Sequence, residues 1–445
     1  MICRAPVFPE TQNLSKNPGL LRPGFLNRLL DPTRPTVKIE KGQMILGGLS
    51  ASALVREYGS PLFVMEDEVI RRQTGLLRRA LPSPHVHLYY AGKANPNIRI
   101  WQLIGEQGYG LDCCSPGEVF LALRAGFGPD RISFTGTGLT ADEMSYLAGT
   151  GVAVNVDAVS QVERYAALVP NARLGIRINP NIGSGSHQYC TTGGSRSKLG
   201  IPIDLALQAR EAATRNGATI RALHVHTGSG GLDVAPMLQT ARLMFELAEH
   251  FSDTLETIDL GGGLGVGQAP DDPVFALDEY AAGILALLDR WNSTHQRPLD
   301  LFLEPGQFLV ADAGWLLATV VIVKPTPGGR TFAILDTNFN HYLGTALYQS
   351  YHEFHLATGM HEPRTERYDL VGNLCNTGDT FAADRPMPPL VEGDLLAMAS
   401  AGAYGLSRSS NYNSRPIPAE VLVKDGRSTL IRRRQTYEDL LGAQL

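Results

Sequence analysis

Short apolar runs alternate with helix-like stretches between about residue 50 and residue 315. The runs are rich in β-branched residues, and the stretches between them carry helix signals, such as the capping box Ser160–Glu163 and a stop at Gly217. This alternation is typical of strand–helix units around a parallel sheet. The predicted strands are Val86–Tyr90, Tyr109–Cys113, Arg131–Phe134, Val152–Val156, Arg173–Ile178, Ile220–Val225, Leu255–Leu260 and Leu299–Leu303. Eight such units predict an α/β fold built on a (β/α)8 barrel.

The pattern changes after about residue 315. The segments "WLLATVVIVKP", "RTFAILD", "GDLLAMAS" and "AEVLVKD" look like strands without long helices between them, which favours a mainly antiparallel β-barrel or sandwich domain. Short extended candidates also occur earlier, at Thr36–Glu40 and Met44–Leu46. We therefore expect an N-terminal arm over residues 1–48 that completes the β domain, a barrel over 49–315 and the β domain over 316–445. Residues 17–32 of the arm fit either a short amphipathic helix or a tail.

Composition limits the class of protein. The chain has 445 residues, 43% of them apolar, which is enough for two domains with a large core. The net charge is −5 and the basic run Arg432–Arg434 is short, so nucleic acid and membranes are not expected as partners. No segment has the apolar length of a signal peptide or a membrane-spanning helix. The five scattered cysteines lack metal-ligand spacing, which predicts reduced thiols, a cytoplasmic protein and no metal site.

Chemically active residues follow the predicted barrel strands at their carboxyl ends, where barrel enzymes carry their active sites. They are Lys93 after the first strand, Asp112 at the second, Arg177 at the fifth, His226 and Ser229 after the sixth, Gly261–Gly263 after the seventh and Glu304–Gln307 after the eighth. Each has an ordinary explanation when taken alone, for example as a surface lysine or a glycine turn. Taken together, they fit a site for pyridoxal phosphate.

The chemistry of the cofactor explains why these residue types occur together. Lys93 can form a Schiff base with the cofactor aldehyde. The glycines allow backbone N–H groups to approach the phosphate, and Ser229 adds a hydroxyl. Glu304 can hold the pyridine nitrogen protonated, while His226 can stack on the ring face. A glutamate at this position also favours a decarboxylase over a racemase, because moving only the α-proton is easier with a less basic ring nitrogen.

Several ordered motifs resemble those of the fold-type III pyridoxal-phosphate decarboxylases. They are "YYAGKANPN", "DCCSPGEVFLALRAGF", "HVHTGSG", "IDLGGGLGV", "EPGQFLVADAG", "LCNTGD" and "SAGAYGLSRSSNYNSRPIPAEVLV". The most similar branch is diaminopimelate decarboxylase, with ornithine and arginine decarboxylases as relatives. The resemblance spans about residues 50 to 440 and implies an amino-acid substrate, pyridoxal phosphate and a homodimer with shared active sites.

The resemblance also implies roles for the matching residues. Lys93 would carry the cofactor, His226 would stack on it, and Cys375 would act across the dimer interface to protonate the carbon that loses CO₂. The other cofactor-binding positions would be Asp112, Arg177, Ser229, Gly261, Gly262, Gly263, Glu304, Gly306, Gln307 and Tyr404, with Glu118 beside them. The substrate-binding positions would be Gln307, Tyr348, Asn376 and Tyr404.

Three positions depart from the pattern of diaminopimelate decarboxylases. Gln307 and Gly344 stand where that family carries arginines for the distal carboxylate, and Asn376 stands where it carries a glutamate for the distal ammonium. Each lost charge-assisted contact is worth roughly 1.5–3 kcal/mol. We therefore expect diaminopimelate to be a poor substrate.

Three functions follow from these observations. The expected one is decarboxylation of an amino acid or amino-acid conjugate with an uncharged distal part, in a specialised pathway such as siderophore or other secondary-metabolite biosynthesis. The alternative is a meso-diaminopimelate decarboxylase of lysine biosynthesis in which Arg408 or His341 binds the distal end. An alternative of another class is a non-catalytic pyridoxal-phosphate carrier, which the β domain and its cysteine disfavour.

Overall fold

The computed structural model describes residues 37–183, 185–187, 190–442 and 444. Four strands precede the barrel: β1 (Val37–Glu40), β2 (Gln43–Leu46), β3 (Leu49–Ser50) and β4 (Leu62–Glu66). β1, β2 and β3 form a small antiparallel sheet of their own. Its buried residues Val37, Met44 and Leu46 pack against Trp315 and other residues of the later β domain. The described part of the arm is thus a separate layer on that domain, while the predicted helix or tail at residues 17–32 lies outside the described residues.

The next strands form a parallel sheet and are β5 (Val86–Ala91), β6 (Gly110–Cys113), β7 (Ile132–Thr135), β8 (Ala153–Val156), β9 (Arg173–Asn179), β10 (Ile201–Pro202), β11 (Thr219–Val225), β12 (Thr257–Asp259) and β13 (Asp300–Leu303). Eight of them close into a barrel, with β13 paired to β5 and β9 paired to β8, and the two-residue β10 extends the sheet beside β9. Each coincides with a predicted strand except β10, and the differences are confined to strand ends. The prediction of a (β/α)8 barrel is confirmed.

Helices surround the barrel and bury their apolar faces against it. The helices that precede or follow its strands are Asp67–Ala80, Ile98–Glu106, Pro116–Arg124, Ala141–Thr150, Val159–Leu168, Ala206–Arg215, Ala235–Ala248 and Leu277–Thr294. Further helices are Ala51–Tyr58, Gln307–Val310 and Gly344–Tyr348. Within the described residues, none of the helices combines the length and the apolar character needed to cross a bilayer.

The two predicted helix signals had different outcomes. The stop at Gly217 is confirmed, because the preceding helix ends at Arg215 and Gly217 has a left-handed φ of +71°. The capping box at Ser160 is wrong. Ala158 is the last extended residue before that helix, so Ser160 already lies inside the first turn, and a capping box forms instead where Thr140 and Glu143 begin another helix.

The second domain is a mainly antiparallel sheet, as predicted. Its strands are β14 (Gly314–Pro325), β15 (Thr331–Leu335), β16 (Phe354–Leu356), β17 (Glu366–Val371), β18 (Thr380–Met387), β19 (Leu395–Met398), β20 (Ala419–Lys424) and β21 (Arg427–Arg432). The main sheet runs β18-β17-β15-β14-β4-β20-β21, and β19 pairs with both β14 and β16. Among the described strand pairs of this domain, only β15–β17 and β20–β4 are parallel.

β4 corrects the predicted domain organisation. It lies within the range assigned to the barrel, yet it pairs with β14 and β20 in the middle of the β domain. All five of its residues are buried, so its sequence lacks the alternation of apolar and polar residues that marks a strand with one exposed face. The chain therefore contributes one strand to the β domain before it enters the barrel.

Candidate active site

The carboxyl ends of the barrel strands bring most of the predicted cofactor residues together. One pocket there is lined by Lys93, His226, Ser229, Gly262, Gly263, Glu304, Gly306, Gln307 and Tyr404. Arg177 lies buried nearby, close enough for its charge to interact with Glu304 and Asp112. Residues from distant parts of the chain thus share one pocket because parallel barrel strands end on the same side.

Lys93 lies on a short 3-10 turn, Gly92–Ala94, directly after β5. Its Nζ is 2.9 Å from Asp112 Oδ2 and 3.2 Å from Cys114 Sγ. Burial opposes the ammonium form, but Asp112 together with Cys114 and other neighbouring groups outweighs it and holds the pKa of Lys93 well above its ordinary value. Burial and the charge of Glu304 raise the pKa of Asp112 to about 7, although Lys93 opposes that shift. Asp112 therefore orients the lysine amine in the pocket.

The lysine turn is tied to the β domain by polar side chains. Asn95 Nδ2 and Asn97 Nδ2 donate hydrogen bonds of 2.8 and 2.6 Å to the buried carboxylate of Glu420 on β20. The backbone N–H of Tyr404 donates to Ala94 O at 2.8 Å. Tyr404 itself adopts a left-handed φ of +61°, which is rare for an aromatic residue. These contacts hold Lys93 and Tyr404 in one rigid unit at the domain boundary.

The glycine loop after β12 needs its glycines. Gly261 and Gly263 have φ of +66° and +100°, where L side chains are strained. A Cβ on Gly262 would collide with the carbonyl oxygen of Glu304. The loop therefore presents bare backbone beside Ser229 in the pocket wall.

Glu304 belongs to a buried cluster with His224 and Asp259. His224 Nε2 lies 3.1 Å from Glu304 Oε2, and the polar atoms of the three side chains all lie within 4.8 Å of one another. Burial and the charge of Glu304 raise the pKa of Asp259 well above its ordinary value. Burial alone would also raise the pKa of Glu304, but contact with His224 lowers it to about 2. Glu304 is thus the ionised carboxylate of the cluster.

His226 is held in one orientation. The backbone N–H of Gly262 donates to its Nδ1 at 3.2 Å, which leaves the ring proton on Nε2 in the neutral tautomer. Burial, with Arg177 nearby, lowers the pKa of His226 well below its ordinary value. A neutral imidazole therefore forms part of the pocket wall.

The polar groups in and around the pocket fit pyridoxal phosphate, independently of any resemblance in sequence. Asp112 Oδ1, Arg177 Nη2 and Glu304 Oε1 are buried and have no hydrogen-bond partner among the described residues. Buried polar atoms are normally paired, so these atoms indicate a polar ligand. The amine of Lys93 suits the cofactor aldehyde, and the carboxylate of Glu304 suits the ring nitrogen. The glycine loop suits the phosphate.

Two of the predicted substrate residues, Gln307 and Tyr348, line a second, larger cavity of about 640 Å³. Gln307 lines both cavities, and Tyr348 lines the larger one. Gly344 begins the short helix that carries Tyr348. His341, one of the suggested replacements, is buried, and its ring nitrogens lie 3.0 Å from Thr337 Oγ1 and 3.3 Å from Pro416 O. Its ring is therefore engaged inside the β domain.

Cys375 and Asn376 do not reach the pocket within one chain. Both are exposed on the loop between β17 and β18. The carboxylate of Asp379 holds this loop by accepting hydrogen bonds from the backbone N–H groups of Phe339 and Leu374 at 2.7 and 2.9 Å. Glu118 also stays outside the pocket, where its Oε2 accepts a 2.7 Å hydrogen bond from Cys114 N.

Several residues that support the site were not predicted from the sequence. His224 precedes His226 by two positions, so strand alternation could have placed it on the same side of β11. Asp259 comes directly before the glycine loop, which was a second available signal. The partnership of Asn95 and Asn97 with Glu420 had no local signal, because more than 320 residues separate the partners.

Comparisons with known proteins agree with this geometry. Residues 67–311 match the family model described as the pyridoxal-dependent decarboxylase, pyridoxal binding domain. A diaminopimelate decarboxylase from Methanothermobacter thermautotrophicus is 39% identical over 420 residues, which cover 92% of this chain and 97% of that protein. The corresponding enzyme of Escherichia coli K12 is 34% identical over 423 residues, covering 89% and 97%.

Solved structures give the same result. Diaminopimelate decarboxylase from Helicobacter pylori, complexed with L-lysine, superposes with a TM-score of 0.82 and 31% identity, covering 88% of this chain and 98% of that one. The enzyme from M. jannaschii in complex with L-lysine gives a TM-score of 0.84 at 30% identity, covering 92% and 98%.

These relatives overturn the expected specialised function. The expectation of an uncharged substrate from a siderophore or secondary-metabolite pathway rested on Gln307, Gly344 and Asn376. Relatives over nearly the whole length, 31% to 39% identical, are named diaminopimelate decarboxylases. Similarity over nearly the whole length outweighs three single motif positions.

Proposed function

The chain belongs to the pyridoxal-dependent decarboxylases, and on this premise we propose that it decarboxylates meso-diaminopimelate in lysine biosynthesis. The reaction removes one carboxylate as CO₂ and leaves lysine. The observation that carries the proposal is the pocket around Lys93 and Glu304 within a chain similar to diaminopimelate decarboxylases over both domains.

Pyridoxal phosphate, when bound, supplies an electron sink for the electron pair released with CO₂. Lys93 would hold the cofactor, and Asp112 orients the Lys93 amine from 2.9 Å. The ionised Glu304 would keep a proton on the pyridine nitrogen, which would strengthen that sink. The neutral ring of His226 would lie against the cofactor ring, and the glycine loop with Ser229 and Tyr404 would bind the phosphate.

The proton donor at the reacting carbon is Cys375 of a second copy in this proposal. Within one chain Cys375 is exposed and outside the pocket, while the loop that carries it is held by Asp379. A homodimer with shared sites accounts for an ordered loop that presents a thiol to the outside. The described cysteines are free thiols, in keeping with a cytoplasmic protein.

A steady-state assay tests the substrate. Purified protein with pyridoxal phosphate should convert meso-diaminopimelate to lysine with a kcat/KM of about 10⁴ M⁻¹s⁻¹ or more. CO₂ release and lysine are measured together, with lysine, ornithine and arginine as competing substrates. Turnover of another amino acid without turnover of diaminopimelate would contradict the proposal.

Mixing inactive variants tests the shared site. Lys93→Ala and Cys375→Ala protomers, dissociated and mixed in equal amounts, should regain about a quarter of wild-type activity, because half of the dimers are hybrid and each hybrid has one native site. The unmixed variants are the controls. Activity that stays at the unmixed level would show that each site is built from one chain.

A further inference from the structure

Arg408 lies at the border between the cofactor pocket and the larger cavity. Its Cζ is 4.4 Å from the ring centroid of Tyr404 and 5.0 Å from that of Tyr348. Tyr404 lines the cofactor pocket, Tyr348 lines the larger cavity, and Gln307 lines both. The guanidinium therefore lies one side chain away from each cavity.

Within the part of the chain that the structure describes, Arg408 forms no salt bridge with a carboxylate. Its guanidinium lies over the faces of Tyr404 and Tyr348. Stacking on tyrosine holds the planar guanidinium but leaves its N–H groups at the edge for an acceptor. Arg408 is half-buried, so an anion that reached it would meet a partly desolvated cation.

Arg385 provides a useful contrast. It also stacks on a tyrosine of the larger cavity, with its Cζ 4.1 Å from the ring centroid of Tyr351. Arg385, however, is buried and lies 3.4 Å from the carboxylate of Glu353. Its charge is already paired, whereas that of Arg408 is available.

The substrate needs a cation at this place. Diaminopimelate carries an amino-acid group at each end, and the end that does not react keeps its carboxylate. Among the described residues that line the two cavities there is no arginine, and the lysine there is Lys93. His341 is engaged inside the β domain.

We propose that Arg408 binds the distal carboxylate of diaminopimelate, an inference that rests on the proposed function. Arg408 would thereby replace the arginines that diaminopimelate decarboxylases carry at the positions of Gln307 and Gly344. Its planar fork suits a carboxylate through two parallel N–H···O bonds, and the tyrosine stack holds the fork in place before the substrate arrives. Arg408 is then the residue that selects a substrate with a carboxylate at its far end.

Ligand binding to the holoenzyme tests this role without turnover. L-lysine keeps the distal carboxylate after CO₂ is lost, and 1,5-diaminopentane has the same chain and amines without it. Isothermal calorimetry on wild-type protein should show tighter binding of L-lysine. Arg408→Met should weaken L-lysine about 10- to 100-fold and leave the diamine within about twofold. Arg408→Lys should recover part of the loss, since it restores the charge without the fork.

Controls separate this role from a structural one. Arg427→Met removes an exposed arginine on β21 and should change neither ligand. The visible absorbance of the bound cofactor reports whether each variant retains an intact site. An equal loss for both ligands in Arg408→Met and Arg408→Lys would overturn the proposal, and so would unchanged L-lysine binding. It would also be overturned if wild-type protein bound L-lysine no more tightly than the diamine.

Kinetics separate this proposal from the proposed function. With diaminopimelate, Arg408→Met should raise KM with little change in kcat, because a distal contact is made equally before and during the reaction. Failure of wild-type protein to turn over diaminopimelate would refute the proposed function alone, since the L-lysine and diamine comparison measures carboxylate selection directly.

Discussion

The two ends of the active site differ in how they are built. The cofactor end consists of residues at the ends of barrel strands, buried and held by specific partners, such as Lys93 with Asp112 and Glu304 with His224. The larger cavity, which we propose holds the distal end of the substrate, is lined by side chains from loops and short helices, including the neutral Gln307, and Arg408 lies over its Tyr348. Barrel topology therefore brings the cofactor residues together, whereas the larger cavity is lined by barrel loops together with Tyr348–Tyr351 of the second domain.

Replacement of Lys93 should have the largest effect. Lys93→Ala removes the amine that holds the cofactor, and kcat should fall about 10⁴-fold or more. Steady-state kinetics and the visible absorbance of the purified protein measure the loss. Lys424→Ala, which removes an exposed lysine on β20, is the control. Near-normal turnover by the Lys93→Ala protein would show that Lys93 does not hold the cofactor, and the comparison of the two ends would no longer apply.

Replacement of Glu304 should come next. Glu304→Gln keeps the shape of the side chain but cannot hold a proton on the ring nitrogen. The value of kcat should therefore fall roughly 10²- to 10³-fold, which is the usual loss when one group that stabilises the transition state is removed. Cofactor affinity, measured by titration of the apoprotein, should change much less. An equal loss of kcat and of cofactor affinity would show that Glu304 contributes binding only.

Replacement of Cys375 tests a residue that belongs to neither end within one chain. Cys375→Ala should lower the rate of lysine formation about 10²- to 10⁴-fold, the usual contribution of a positioned proton donor. Cys375→Ser should retain more activity than the alanine variant. Stopped-flow absorbance and product analysis measure the effect. An unchanged rate with unchanged products would assign the proton to another group.

Replacement of His341 should have the smallest effect on ligands. Because its ring is engaged with Thr337 and Pro416, His341→Ala should leave L-lysine affinity unchanged. It should lower the free energy of unfolding by about 1–3 kcal/mol through the lost buried hydrogen bonds. Calorimetry and thermal melting measure the two quantities. A selective loss of L-lysine binding would move the distal contact from Arg408 to His341.

Sequence reasoning succeeded where local pattern and topology coincide. The barrel strands were predictable because each is a short apolar run between helices, and their ends had to meet on one side. β4 is a short, fully buried run like several barrel strands, but its partners β14 and β20 lie far along the chain, so no local pattern assigns it to the β domain. The expected specialised function was wrong because it rested on three positions, whereas the similarity to diaminopimelate decarboxylases extends over nearly the whole chain.

The barrel could be predicted from strand periodicity, the cofactor class from residues placed directly at strand ends, and the decarboxylase family from the resemblance of the ordered motifs. Only the folded structure shows how Glu420 holds the lysine turn through Asn95 and Asn97, and how Arg408 lies over Tyr348 and Tyr404. These contacts join segments that lie far apart in the chain, so no local pattern records them. Only the packing of the β domain against the barrel brings them together.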